Sequence, residues 1–322
     1  MRDSTSGHGG FIAPIALTVL GGFLGAGKTT LINHVIRHPC ASGTAVLVND
    51  FGAIDIDALL IVSRRFNTVS LANGCICCSI GGSLTRALLD ISRWEPRPEQ
   101  LIIETSGVAD PAKVAAYGRI GRSYSLHGVT VLVDAECIRA LHADPRLSET
   151  IAGQLTSAHL LVVNKCDRIE SSERIALMRW LRGFCPSARM IETRYGALPA
   201  ELVLRRFDTN AMVDHSEAGP AEMHPHGGRY VSWVYRDARP LCRDALERAL
   251  NGADGLLRAK GMLTLADRPG YTFVLQLVGT CWDIRAAAAH EQVPACGTEI
   301  IFIGLRDVAD PEHLDGQLSR AH

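Results

Sequence analysis

The chain has 322 residues, room for two domains of ordinary size, and its 47% hydrophobic content excludes global disorder. Lys and Arg total 33 against 34 Asp and Glu, so no basic excess points to nucleic acid or a membrane surface as partner. No uninterrupted apolar run approaches the length of a membrane span, so a cytoplasmic protein with mostly reduced cysteines is expected.

Residues 1–14 are polar and contain Gly and Ser, which predicts a flexible tail. The apolar stretch from Phe11 to Ala26 follows Arg2 and loosely resembles a signal peptide. It leads straight into Gly22-Phe23-Leu24-Gly25-Ala26-Gly27-Lys28-Thr29, however, and reads better as a buried first strand plus a glycine loop. Strand-like runs then follow at Ile15–Leu20, Ala45–Asn49, Thr68–Leu71, Leu101–Glu104, Val129–Asp134 and Leu160–Asn164. Several are almost continuously apolar, as strands buried on both faces of a parallel sheet must be. Helical stretches at Thr29–His38, Ser83–Trp94 and Ser171–Phe184 alternate with them. The fold class predicted is therefore α/β, a mostly parallel doubly wound sheet over 15–207. Ligands of such sheets bind beyond the carboxyl ends of the strands.

Residues 208–228 change character, with Gly219-Pro220, Gly227-Gly228 and three histidines, His215, His224 and His226. They read as a linker, and loop histidines are most simply solvated. A smaller α+β domain is predicted over 229–322. Its strands are expected at Arg229–Tyr235, Leu263–Leu265, Tyr271–Val278 and Glu299–Ile303, its helices at Leu241–Leu250 and Asp310–Arg320.

Gly22-x-x-x-x-Gly27-Lys28-Thr29 satisfies the full phosphate-loop pattern. Its glycines let backbone N–H groups converge on phosphate, and the following helix aims its positive end at the same anion. Lys28 is expected on the β- and γ-phosphates and Thr29 on Mg²⁺. Of only four lysines in the chain, Lys28 and Lys165 fall inside such motifs. Asn164-Lys165-Cys166-Asp167 closes a predicted strand. The Asp167 carboxylate can accept from the N1–H and N2–H₂ edge of guanine, a donor pair that adenine lacks. Alone, the four residues could equally be a helix cap; after a phosphate loop they point to GTP. Glu104 ends an apolar strand before Thr105-Ser106-Gly107, and either holds Mg²⁺ through water or positions the attacking water, unless it serves only a helix cap. The Gly107 N–H is placed to sense the γ-phosphate. Asp50, in Asn49-Asp50-Phe51-Gly52, is a second carboxylate for Mg²⁺ or water, with a turn-forming role as the alternative. The nucleotide-binding set is thus Gly22, Gly25, Ala26, Gly27, Lys28, Thr29, Thr30, Gly107, Asn164, Lys165 and Asp167, and the catalytic candidates are Lys28, Asp50 and Glu104.

Cys75, Cys77 and Cys78 stand together in Gly74-Cys75-Ile76-Cys77-Cys78. The spacing is too tight for a four-cysteine structural zinc site, but it can offer two or three thiolates and leave a position open. Such a shell suits Zn²⁺ or another thiophilic ion, Co²⁺ included, held for transfer. A redox pair of Cys75 and Cys78 is the competing chemistry. The other seven cysteines are scattered singly and read as small buried hydrophobes.

Together these residues resemble the CobW-like GTPases, the family of the cobalamin-synthesis W protein and the zinc-regulated GTPase metallochaperones. The matching elements are Gly21 to Thr30, Val48-Asn49-Asp50-Phe51-Gly52, Gly74 to Cys78, Glu104 to Gly107 and Asn164 to Asp167. Arg229-Tyr230-Val231-Ser232 and Leu257-Arg258-Ala259-Lys260-Gly261 are similar to the family's C-terminal domain. The resemblance implies a two-domain GTP hydrolase that binds Zn²⁺ or a similar ion at the thiols and passes it to a client metalloprotein. It also leaves a nucleotide-dependent homodimer among the expected assemblies. A regulatory protein that senses metal or remodels a client enzyme without delivering metal is the rival implication. Two departures stand out: many members carry Glu at the position of Asp50, and a second Glu where this chain has Ala53. The His-rich tract of some members is reduced to three histidines.

Overall fold

The computed structural model describes residues 13–48, 68–70, 80–118, 123–207, 230–278, 281–287 and 297–322. Asp50, Ala53, Cys75, Cys77, Cys78 and the histidines of 208–228 lie outside the described residues.

The apolar runs form β1 (Ile15–Gly22), β2 (Thr44–Val48), β3 (Thr68–Ser70), β4 (Gln100–Glu104), β5 (Tyr124–Asp134) and β6 (Leu160–Asn164). A seventh strand, β7 (Arg189–Glu192), was not legible as one. All pair in parallel, in the order β3-β2-β4-β1-β5-β6-β7. Alternate residues feed two separate cores. Leu17, Val19, Leu101, Ile103, Val131, Val133, Leu161 and Val163 face one; Leu20, Val46, Ile102, Leu132, Leu160 and Val162 face the other. Side chains alternate across a strand, so a sheet covered on both sides needs apolar residues at every position.

The first core is roofed by α2 (Ile80–Ser92), α3 (Pro111–Tyr117), α5 (Ser148–Thr156) and α6 (Ser171–Phe184), the second by α1 (Lys28–Val35) and α7 (Ala200–Leu204). The short α4 (Ile138–Ala143) precedes α5. Helix α6 spans the residues read from sequence and starts at a capping box, Glu170 with Glu173.

The remaining chain forms an antiparallel sheet in the order β11-β10-β9-β12-β8. Its strands are β8 (Tyr230–Asp237), β9 (Leu256–Thr264), β10 (Thr272–Val278), β11 (Cys281–Ala286) and β12 (Thr298–Leu305). Helices α8 (Arg243–Asn251) and α9 (Pro311–Leu318) cover one face, with Leu246, Leu250, Leu314 and Leu318 packed on Ala259, Leu263, Leu275, Ile300 and Phe302. Strand β9 is longer than the Leu263–Leu265 reading, and β11 was not read at all. Tyr230, Leu257, Ile303 and Leu305 join the core of the parallel sheet instead, and the Tyr230 hydroxyl lies 3.1 Å from Thr150 Oγ1 on α5. Among the described residues no helix is long and apolar enough to cross a membrane.

Candidate functional site

The glycine loop runs from the end of β1 into α1, as the motif requires. Gly22, Gly25 and Gly27 all have positive φ, at 129°, 71° and 106°. Two of them are also sterically obligatory. A Cβ on Gly22 would lie 2.2 Å from the Leu132 carbonyl oxygen, and one on Gly27 would lie 2.4 Å from Asn164 Nδ2. The loop is therefore shaped by close approach to the β5 backbone at Gly22 and to the Asn164 side chain at Gly27, both in a left-handed conformation that favours glycine. Gly27 caps α1 without a side-chain hydrogen bond, so the first N–H groups of the helix are not claimed by a capping side chain. Lys28 is buried, and its Nζ donates to the carbonyls of Gly22 at 2.8 Å and Phe23 at 3.2 Å. The ammonium thus curls back over the loop that it follows.

Thr29 and Glu104 meet across the sheet. Parallel register places Leu20 beside Glu104, and the chain beyond β4 is tied down by Thr105 N donating to Leu20 O at 2.9 Å. Glu104 is only 4% exposed, and Thr29 Oγ1 donates to its Oε1 at 3.4 Å. The capping alternative belongs to a different residue: Asp110 accepts from Ala112 N at 2.9 Å and starts α3, with Pro111 next. Gly107 presses on the loop so closely that a Cβ there would lie 2.7 Å from Leu24 N. Its turn is held from behind by Gln154 of α5, 2% exposed, whose Nε2 donates to Gly107 O and Ala109 O, each at 3.0 Å. Gln154 was not among the residues singled out from sequence; nothing local distinguishes it from a surface glutamine on an amphipathic helix.

At the far end, Asn164 acts as a strut. Its Nδ2 donates to Ala26 O at 2.9 Å and its Oδ1 accepts from Gly196 N at 3.0 Å, joining the glycine loop to the loop after β7. That second loop is braced by Thr193, whose N donates to Val163 O and whose Oγ1 donates to Ala197 O, each at 2.8 Å. Lys165 adopts the left-handed conformation, φ 61°, and its Nζ bonds the buried Asp134 carboxylate at 2.5 Å. Asp167 is exposed in a short 3-10 turn, Cys166–Arg168. It does not cap α6, since Glu170 fills that role. Thr30 is exposed on the first turn of α1, one residue beyond Thr29.

Two of the single cysteines behave as small hydrophobes. Cys166 and Cys185 are buried, with Sγ donating to Val163 O and Leu181 O, and burial pushes Cys185 up to about 11. Cys40, Cys137 and Cys242 depart from that expectation, being only partly buried.

A family model described as CobW/HypB/UreG, nucleotide-binding domain, matches residues 16–192, and one described as the cobalamin synthesis protein cobW C-terminal domain matches 230–322. The chain is 31% identical over 293 residues to the zinc chaperone YjiA of Escherichia coli strain K12, covering 84% of this chain and 89% of that protein. It is 26% identical over 332 residues to the zinc chaperone CobW of a Sinorhizobium species, covering 91% and 94%. It is 25% identical over 319 residues to the zinc-regulated GTPase metalloprotein activator 1 of Dictyostelium discoideum, covering 82% and 66%.

Proposed function

Because the chain belongs to the CobW/HypB/UreG family and is a P-loop GTPase, we propose that it is a GTP-dependent metallochaperone. In this reading it takes Zn²⁺ or a similar divalent ion, such as Co²⁺, on Cys75, Cys77 and Cys78 and hands it to a client metalloprotein. The observation that carries the reading is the meeting of Lys28, Thr29, Glu104 and the Gly107 turn at the carboxyl ends of β1 and β4. The strands preceding the other two candidate segments, β2 before Asp50 and β3 before the thiols, are parallel neighbours that end at the same edge.

The roles follow from the donor types. Backbone N–H groups of Gly25, Ala26 and Gly27 and the Lys28 ammonium receive the phosphates. The Thr29 hydroxyl and Glu104 carboxylate are both hard oxygen donors, close enough to serve one Mg²⁺, Thr29 directly and Glu104 through water. Bound there, Mg²⁺ supplies charge neutralisation at the transferring phosphoryl group. Glu104, and Asp50 from the segment after β2, are the residues assigned to orienting the attacking water. The Gly107 N–H reads the γ-phosphate, so that the turn held by Gln154 senses nucleotide state. Asp167 accepts from guanine, while Asn164 keeps the two loops at a fixed separation. Phosphate release would relax the switch segment from Asn49 to about Ile56, which lies between the glycine loop and the thiols in the sequence, and loosen the thiol site. We also infer that 15–207 and 229–322 are the two domains, the second presenting the client-facing surface.

The test is zinc competition against a chromophoric chelator, with Mg²⁺ and either a non-hydrolysable GTP analogue or GDP. Tighter zinc binding in the GTP form, lost in the Cys77→Ala, Cys78→Ala variant, is expected. Equal affinity in both nucleotide states would sink the coupling. Activation of a client whose metal content does not change would favour remodelling over delivery.

A further inference from the structure

The partly buried Cys40 has company that its isolated place in the sequence does not reveal. Residues 36–41 leave the C-terminal end of α1 and pass through a 3-10 turn, Pro39–Ala41, before β2. His38 Nδ1 lies 3.2 Å from Cys40 Sγ and 3.4 Å from Glu201 Oε1, on the first turn of α7. The three donor atoms all lie within 4.8 Å of one another. Zinc bonds of about 2.3 Å to sulfur and about 2.0–2.2 Å to nitrogen or oxygen, at tetrahedral angles, put neighbouring donors about 3.3–3.6 Å apart. The observed separations to His38 are close to those edges.

Each half of this arrangement has a bland explanation. The imidazole accepts from Cys40 N at 3.4 Å and so caps the 3-10 turn. A carboxylate in the first turn of a helix is favoured by the helix dipole. Neither explains why the Glu201 carboxylate, from a segment far along the chain, meets a ring and a thiol that share one turn. The scaffold beneath is rigid: Ala41 on one side and Ala200, Val203 and Leu204 on the other are buried in one core, with Cys40 packed against it. A second grouping, Asp134, Glu136 and Cys137, is less suited to a cation, because the Lys165 ammonium already occupies Asp134.

We propose that His38, Cys40 and Glu201 form a second metal site, for a divalent ion of the Zn²⁺, Co²⁺ class, separate from the cysteine triplet. The site offers one thiolate, one carboxylate and the His38 imidazole, whose Nδ1 would exchange its long 3.4 Å bond from Cys40 N for the ion, with the fourth position open to solvent. Sulfur disfavours Mg²⁺ and Ca²⁺, and mixed S, N, O donors suit borderline ions. An open coordination position suits an ion that exchanges, in contrast to a closed structural site. It sits at the opposite end of α1 from the glycine loop, eight helical residues or about 12 Å away. Metal binding there ties α1 to the helix that follows the loop braced by Asn164.

The test uses the full chain with Cys75, Cys77 and Cys78 all changed to Ser, and Co²⁺ as the probe. One equivalent should bind with a thiolate-to-cobalt charge-transfer band, and Zn²⁺ should displace it. Adding Cys40→Ser or His38→Ala should abolish that band, and Glu201→Gln should weaken binding on the order of tenfold. With the cysteine triplet intact, Cys40→Ser should lower the zinc stoichiometry by one. Absence of the band in the triple-Ser chain, or its persistence after Cys40→Ser, overturns the proposal. Failure of the triplet as a metal site has a different signature: the triple-Ser chain would bind as much zinc as the unaltered one.

Discussion

The two ends of the nucleotide site are built from different materials. The phosphate end is backbone: three glycines with positive φ, packed against β5, β6 and the Gly107 turn. The end proposed to read guanine is side chain: Asp167 exposed on a short turn, followed in the sequence by a loop braced by Thr193. A phosphate has the same shape in every nucleotide, so a rigid concavity of N–H groups serves it. A base must be told from its rivals, and that takes a replaceable functional group. Asn164 is a side chain that bonds both the glycine loop and the loop after β7. Substitutions at the phosphate end should therefore damage the fold, and substitutions at the guanine end should change selectivity.

The largest effect is expected from Gly22→Ala. The new methyl would meet the Leu132 carbonyl at 2.2 Å, in a backbone conformation that L residues avoid. Strain and overpacking together should cost about 2–5 kcal/mol, a large share of the roughly 5–15 kcal/mol that holds a domain folded. Thermal unfolding should drop sharply and GTP and GDP binding should both be lost. A variant with unchanged melting temperature would contradict the account of a loop locked to β5.

Asn164→Ala comes next. It removes the partners of Ala26 O and Gly196 N together, and each buried group left unsatisfied costs about 1–3 kcal/mol. Nucleotide affinity should fall for GTP and GDP alike, because the strut touches neither the γ-phosphate turn nor Mg²⁺. Calorimetric titration with both nucleotides checks this, and a loss confined to GTP would show that the two ends are not joined through Asn164.

Gln154→Met keeps the length and apolar contacts of the side chain while removing both donors to Gly107 O and Ala109 O. A destabilisation of about 1–3 kcal/mol is expected. Hydrolysis should slow more than GDP binding weakens if the turn it holds reads the γ-phosphate as proposed. Equal losses in both would place Gln154 among residues that only hold the fold.

How far the sequence could be read follows the same division between local and long-range causes. Strands β1, β4, β5 and β6 lie inside the sheet, are buried on both faces, and so announce themselves as apolar runs. Strands β7 and β11 are edges of their sheets. Arg189-Met190-Ile191-Glu192 and Cys281-Trp282-Asp283-Ile284-Arg285-Ala286 mix charge with apolar residues, as edges tend to do, and neither stood out. The glycine loop and Asn164-Lys165-Cys166-Asp167 were legible because their chemistry needs residues in a short fixed order. Gln154 and the His38, Cys40, Glu201 grouping were not, because each depends on a tertiary contact with no signature in spacing. Asp50 and the cysteine triplet were legible as motifs and lie outside the described residues.

The smallest effect on the fold, and the sharpest on selectivity, belongs to Asp167→Asn. Asp167 is exposed and caps no helix, so stability should change by no more than about 0.5 kcal/mol. The carboxylate offers two acceptors, matching the two donors on the guanine edge, whereas an amide offers one acceptor and one donor. Xanthine presents N1–H and a C2 carbonyl oxygen, the complement of that amide. The variant should therefore lose guanine nucleotides and gain xanthine nucleotides, with each matched pair worth about 1–3 kcal/mol of discrimination. Measuring hydrolysis of GTP and xanthosine triphosphate side by side decides it. A variant that keeps its preference for GTP would mean that Asp167 does not read the base, and the guanine end would then need another side chain to do so.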